Sequence, residues 1–180
     1  NDADLKINPV NKDKATIEFG KKFKIERNLV SAAECVEVCD TIYNLTGEDL
    51  PLIVRHICDL PVSNIKKLTM NGHRIPMKQA ITQNAANPTM LIEIASGGAL
   101  GLLVKDQVFR IHHEAFCKEG KIGFADNKLV IPAGEKYTQV WQIYDVPSAD
   151  YWDFINSVRR DWNVNFQIEG SFAFINPFEH

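Results

Sequence analysis

Between residues 16 and 144 apolar side chains recur mostly at every second position or in short runs closed by turn residues, a period that commits most of this chain to strands. The segments that fit are residues 15–19, 23–29, 35–44, 52–58, 65–68, 90–95, 100–104, 109–113, 121–125, 128–131 and 137–144. So many short strands predict an all-β fold, an antiparallel β-sandwich of the ordinary or the supersandwich kind rather than a small barrel. Residues 35–44 and 52–58 are expected to pair as a hairpin, because Gly47, Asp49 and Pro51 end one strand and start the next. On the first of these, Val36, Val38 and Ile42 share a face that reads as core, while Cys35, Glu37, Cys39, Thr41 and Tyr43 share a mixed face suited to cover by a loop or ligand. Asp126 and Asn127 predict a second turn, and residues 70–88, rich in Asn, Gln and Pro, form the least regular stretch.

The period changes at Pro147. Ser148 can cap a helix whose Tyr151, Phe154, Ile155, Val158 and Trp162 form one stripe, with Asp150 near its start and Arg159 and Arg160 near its end to suit the helix dipole. Period two returns at 163–168, and a second apolar strand follows Gly170. The expected organisation is a sandwich over residues 1–146, then one C-terminal α-helix and a linking strand over 147–180 that lead to a further domain downstream.

A chain of 180 residues can bury a sizeable core without metal or disulfide staples. Its net charge of -3 offers no basic field, so neither nucleic acid nor an anionic membrane is expected as a partner. The most apolar stretch is broken by Gly97, Gly98 and Gly101, which excludes a membrane-spanning helix there and reads as a turn between strands. The polar first fifteen residues resemble neither a signal peptide nor an anchor. Cys35, Cys39, Cys58 and Cys117 lack CxxC spacing; Cys35 and Cys39 would stand about 13 Å apart along a strand, too far to bridge, whereas either could meet Cys58 across the hairpin. Free, half-buried thiols are the expectation, with no metal and no cofactor, since a zinc site would need these cysteines and His56 to converge from distant segments.

The groups that can carry chemistry are few. His112 and Glu114 would share one face of a strand, where an imidazole and a carboxylate can do acid–base work or bind a sugar hydroxyl; the alternative is one hydrogen-bonded core histidine beside a solvated one. Arg55 can clamp a carboxylate or serve a structural ion pair, and His56 can join His112 if their strands face one cavity. Trp141 and Trp162 fall at core positions, while Trp152 falls off the helix stripe and is the aromatic best placed for exposure to a ligand or a neighbouring domain. Asn44-Leu-Thr46 matches the N-glycosylation pattern; no GxSxG elbow, HExxH motif or phosphate loop is present.

The segments Asp40-Thr-Ile-Tyr-Asn44, Glu48-Asp-Leu-Pro-Leu52, Arg55-His56, Lys105-Asp-Gln-Val-Phe-Arg110, Ile131-Pro-Ala-Gly-Glu135, Trp141-Gln-Ile-Tyr144, Asp150-Tyr-Trp-Asp-Phe-Ile-Asn156 and Arg159-Arg-Asp-Trp162 together resemble a β-sandwich accessory region of large bacterial glycoside-hydrolase-like proteins. The resemblance implies a secreted or periplasmic domain placed before a catalytic barrel, and it transfers no catalytic residue. A second resemblance, carried by His56 after its turn and by His112 and Glu114, is to the galactose-mutarotase-like supersandwich, in which a strand histidine and a glutamate act on the anomeric hydroxyl. The expected function is a noncatalytic, carbohydrate-associated domain whose partners are a glycan and a downstream catalytic domain, with Arg55, His56, His112, Glu114 and Trp152 as ligand-binding residues. One alternative is a sugar epimerase or lyase using His112, Glu114 and His56, and another is a purely structural interaction domain.

Overall fold

The computed structural model describes residues 5–76, 79–166 and 169–170. Its strands are β1 (Leu5–Asn11), β2 (Lys14–Phe19), β3 (Phe23–Ser31), β4 (Cys35–Asn44), β5 (Leu50–Asp59), β6 (Ile65–Met70), β7 (His73–Ile75), β8 (Gln79–Thr82), β9 (Thr89–Ile94), β10 (Ala99–Val104), β11 (His113–Lys118), β12 (Lys121–Ile131) and β13 (Lys136–Val146). Two helices accompany them, α1 (Gln107–His112) and α2 (Tyr151–Asp161). A nine-stranded sheet runs β1-β2-β3-β4-β13-β10-β9-β6-β7 and a four-stranded sheet runs β5-β12-β11-β8. All their pairings are antiparallel, the all-β sandwich expected of the period-two pattern.

The larger core lies between the sheets, where Val38, Leu68, Met90, Leu102 and Trp141 of the nine-stranded sheet meet Ala115, Ile122 and Phe124 of the four-stranded one. A smaller apolar cluster of Ile42, Leu129 and Ile131 closes the other end. Helix α2 covers the outer face of the nine-stranded sheet. Its stripe residues Phe154 and Val158 bury against Leu91, Leu103, Tyr144 and Val146, with Tyr151, Ile155 and Trp162 packed alongside. Phe154 fits because β10 carries Gly101 beneath it: a Cβ there would stand 2.5 Å from the ring. Polar bonds pin the end of the helix, with Gln142 Nε2 and Tyr144 Oη donating to Asp161 Oδ2 at 2.9 and 3.0 Å and Trp162 Nε1 donating to Gln142 Oε1 at 3.1 Å. The mixed face of β4 is therefore covered at Cys35 by this helix, and Glu37 is held by Lys105.

Several local expectations give way to the structure. Strands β4 and β5 lie in different sheets and are not a hairpin. The connection instead crosses the sandwich, fixed by the buried Asn44, whose Nδ2 donates to the carbonyls of Glu48, Ile131 and Pro132 at 2.7, 2.9 and 3.0 Å. Asn44 is thus fully engaged and is no glycosylation acceptor in the folded chain. Residues 109–113 are not a strand: the Asp106 side chain accepts the Phe109 N–H at 2.7 Å and caps α1, and extended backbone resumes at His113. Residues 125–128 are no hairpin turn but a bulge, between Asp126 and Leu129, in one long strand β12. Helix α2 is capped by Asp150, which accepts the N–H groups of Trp152 and Asp153 at 2.7 and 3.1 Å, two residues past Ser148. Residues 163–166 follow α2 without strand pairing; residues 167–168 and the apolar segment from 171 onward lie outside the described residues.

Candidate functional site

The sequence-predicted residues separate into three places. The first is a polar belt inside the sandwich. On five strands the inward position between the two apolar clusters is polar: Arg27, Asp40 and Gln139 on the nine-stranded sheet, His56 and Asp126 on the four-stranded one. Arg27 lies opposite Asp40, and Asp40 opposite Gln139, in the strand register. The Arg27 guanidinium donates two bonds of 2.7 Å to the Asp40 carboxylate. Gln139 Nε2 donates to Asp126 Oδ2 at 3.0 Å, which turns its carbonyl oxygen to His56 and makes His56 Nε2 the donor there, also at 3.0 Å. His56 Nδ1 faces Asp40 Oδ2 at 3.2 Å, outside hydrogen-bond alignment. At the far end His112 Nδ1 stands 3.4 Å from Asp126 Oδ1, again unaligned.

His56 and His112 are therefore linked, as the sequence suggested, but through Gln139 and Asp126 rather than across a cavity. Burial pushes the Asp40 carboxyl up, yet Arg27 and His56 outweigh it and hold Asp40 below the usual carboxylate range. The belt's members point at one another, which fixes how the two sheets face but leaves His56 no path to a substrate. All four cysteines are free, and burial raises each thiol, Cys35 to about 11, so none is poised as a nucleophile.

The second place is the outer face of the four-stranded sheet, where Arg55 and Glu114 both pair with Ala125 and line a trough of about 390 Å³. Glu114 accepts a 2.7 Å bond from Asn127. Because His112 ends α1 and Glu114 starts on the opposite side of its sheet from His56, the set His112, Glu114 and His56 does not converge, and the expected shared strand face of His112 and Glu114 is replaced by a helix-to-strand junction.

The third place is a groove of about 600 Å³ beside the start of α2, with Trp152 on its rim. The Trp152 side chain is 70% exposed, whereas Trp141 is buried and Trp162 partly so. The indole is braced edge-on by Tyr151, their centroids 5.8 Å apart at 74°. The floor is cross-linked by hydrogen bonds: Thr89 Oγ1 donates to Asn87 Oδ1 at 2.6 Å, Asn87 Nδ2 donates to Tyr151 Oη at 3.1 Å, and Asn71 Nδ2 donates to the Asn87 carbonyl at 2.7 Å. Asn71 and Gly72 turn β6 into β7 with φ of 51° and 82°, and a Cβ on Gly72 would crowd Asn87 at 3.0 Å. His73, Arg74 and Asn84 complete the wall. Of this site the sequence singles out Trp152; its other mark in the sequence is the Asn71-Gly72 pair, a dipeptide suited to a tight hairpin turn.

Among the described residues no cluster of three or more His, Cys, Asp or Glu side chains could hold a metal ion, and no helix is long and apolar enough to cross a membrane. No protein-family model and no curated protein sequence matches the chain. Among solved structures the chain is similar to a protein of Escherichia coli K12 provisionally assigned as an aldose 1-epimerase, with TM-score 0.48 and 9% identity over 78% of this chain and 68% of that one. At this distance the likeness transfers neither activity nor residues.

Proposed function

We propose that this chain is a noncatalytic, carbohydrate-binding β-sandwich module whose sugar site is the Trp152 groove. One observation carries the reading: an exposed indole, braced by Tyr151, stands over hydrogen-bonded amide and hydroxyl groups, with the His73 imidazole on the same wall. A pyranose offers an apolar CH face to such a ring and hydroxyls to such a wall. A preset floor also spares the ordering of side chains on binding. In this reading the module holds glycan for a catalytic partner, and the belt around His56 serves the fold. The epimerase alternative has less support, because its three candidate groups face different ways.

Affinity electrophoresis through gels containing soluble cellulosic, xylan, mannan or starch polymers tests the proposal. At least one polymer is expected to retard the protein. Replacing Trp152 with alanine is expected to weaken that interaction about tenfold, the effect of losing an aromatic contact of about 1.4 kcal/mol, with the far-ultraviolet circular dichroism unchanged. Equal retardation of protein and variant would contradict the assignment, as would mobility indifferent to every polymer.

A further inference from the structure

The trough on the outer face of the four-stranded sheet lies over Ala125, between Arg55 and Ile57 on β5 and Glu114 and Phe116 on β11, with Lys121 toward one end. Beside it Gly123 lets β12 approach β5 so closely that a Cβ there would stand 1.8 Å from the His56 carbonyl oxygen. The walls are two strand spacings apart, about 10 Å, and three cross-strand rows set a length of about 14 Å, close to four residues of extended chain. The middle row is apolar: Ile57, Phe116 and Ile81 lie in register about Gly123, with Ile57 44% and Ile81 62% exposed. Cations stand at both ends, beside Glu114 at the Arg55 end. Lys118 pairs with Lys121 at one end and Arg55 stands at the other, and among the described residues none of the three has a carboxylate within 4.0 Å. Glu114, the one acid lining the trough, is bonded to Asn127; Asp59 pairs with Lys121 at the strand edge but does not line it.

We infer that this trough docks an extended acidic peptide segment of a partner protein, with carboxylates over Lys118 and Lys121 and an apolar side chain between Ile57 and Phe116. The cations stand out on a chain whose net charge is -3. A second copy of this face is disfavoured, because two-fold pairing would set the uncompensated cations of both copies against each other. The site is separate from the Trp152 groove, so the two proposals stand independently.

The test is fluorescence anisotropy with two labelled heptapeptides, Gly-Glu-Asp-Phe-Leu-Ser-Gly and its counterpart with two lysines in place of the acids. The acidic peptide is expected to bind at least tenfold more tightly than the basic one, and to weaken as salt is raised. The double variant Lys118→Glu, Lys121→Glu changes only exposed side chains and is expected to lose at least tenfold in affinity for the acidic peptide. Trp152→Ala, by contrast, is expected to bind it unchanged. The inference is overturned if neither peptide binds, if the basic peptide binds as well, or if charge reversal leaves the affinity intact.

Discussion

Asp40→Ala is expected to destabilise the protein by about 3 kcal/mol, the low end of the range for breaking a buried pair, because Arg27 at the open end of the belt can turn toward water while His56 cannot. Urea unfolding measures it, and a loss below about 1 kcal/mol would show the belt to be incidental. Asp40 and the buried His113 set an acid limb. Burial pushes the His113 imidazole below its ordinary 6.5, against the opposing bond its Nδ1–H donates to the Arg110 carbonyl, so the unfolded chain takes up this proton first. Stability from His113 is present above about pH 6.5 and is lost as the pH falls toward its lower folded value. Asp40 acts at lower pH. Its carboxyl is held below the ordinary 3.8, so its contribution is full above that value and disappears as the pH drops through the folded one. His113→Gln is expected to flatten the upper part of the stability–pH curve and Asp40→Asn the lower part.

The second large effect lies under helix α2. Phe154→Ala removes a fully buried ring that packs edge-on against Tyr144 at 5.3 Å, and is expected to cost about 3–5 kcal/mol. Gly101→Ala places a methyl where the Phe154 ring now sits, 2.5 Å from two of its carbons, and is expected to cost about 1–3 kcal/mol. The double variant should be less destabilised than the sum of the two, because the added methyl enters the space the ring vacates. Additive losses in a thermal or urea double-mutant cycle would mean that helix and strand do not meet there. Since Tyr151 and Trp152 begin this helix, the same packing sets the rim of the proposed sugar groove.

The strands and the helix stripe were legible because period two and period 3.6 are written by the side chains themselves. Phe154, Val158 and Trp162 pack as that stripe requires. Pairing was less legible, since Gly47, Asp49 and Pro51 mark a reversal equally well for a hairpin and for a crossing between sheets; only the long-range bonds of Asn44 decide it. In α1 the apolar residues Val108, Phe109 and Ile111 fit either period over so short a run, and the deciding feature is the Asp106 cap. The polar belt left a trace in the apolar-polar-apolar inward positions of Val38, Asp40 and Ile42 and of Tyr137, Gln139 and Trp141. That trace acquires meaning once the strands are known to stack. Trp152 was legible as exposed, but its companions Asn71, Gly72 and Asn87 come from segments 65 to 81 residues away, and spacing alone does not bring those together.

Backbone amide shifts of isotope-labelled protein, followed during titration with cello-, xylo-, manno- and malto-oligosaccharides, test the central claim most directly. The account predicts that a bound oligosaccharide moves the amides of Gly72, His73 and Asn84 together with the Trp152 indole N–H, and leaves those of Arg55, Phe116 and Lys121 in place. Shifts gathered on the outer face of the four-stranded sheet, or none with any of the four, would contradict it.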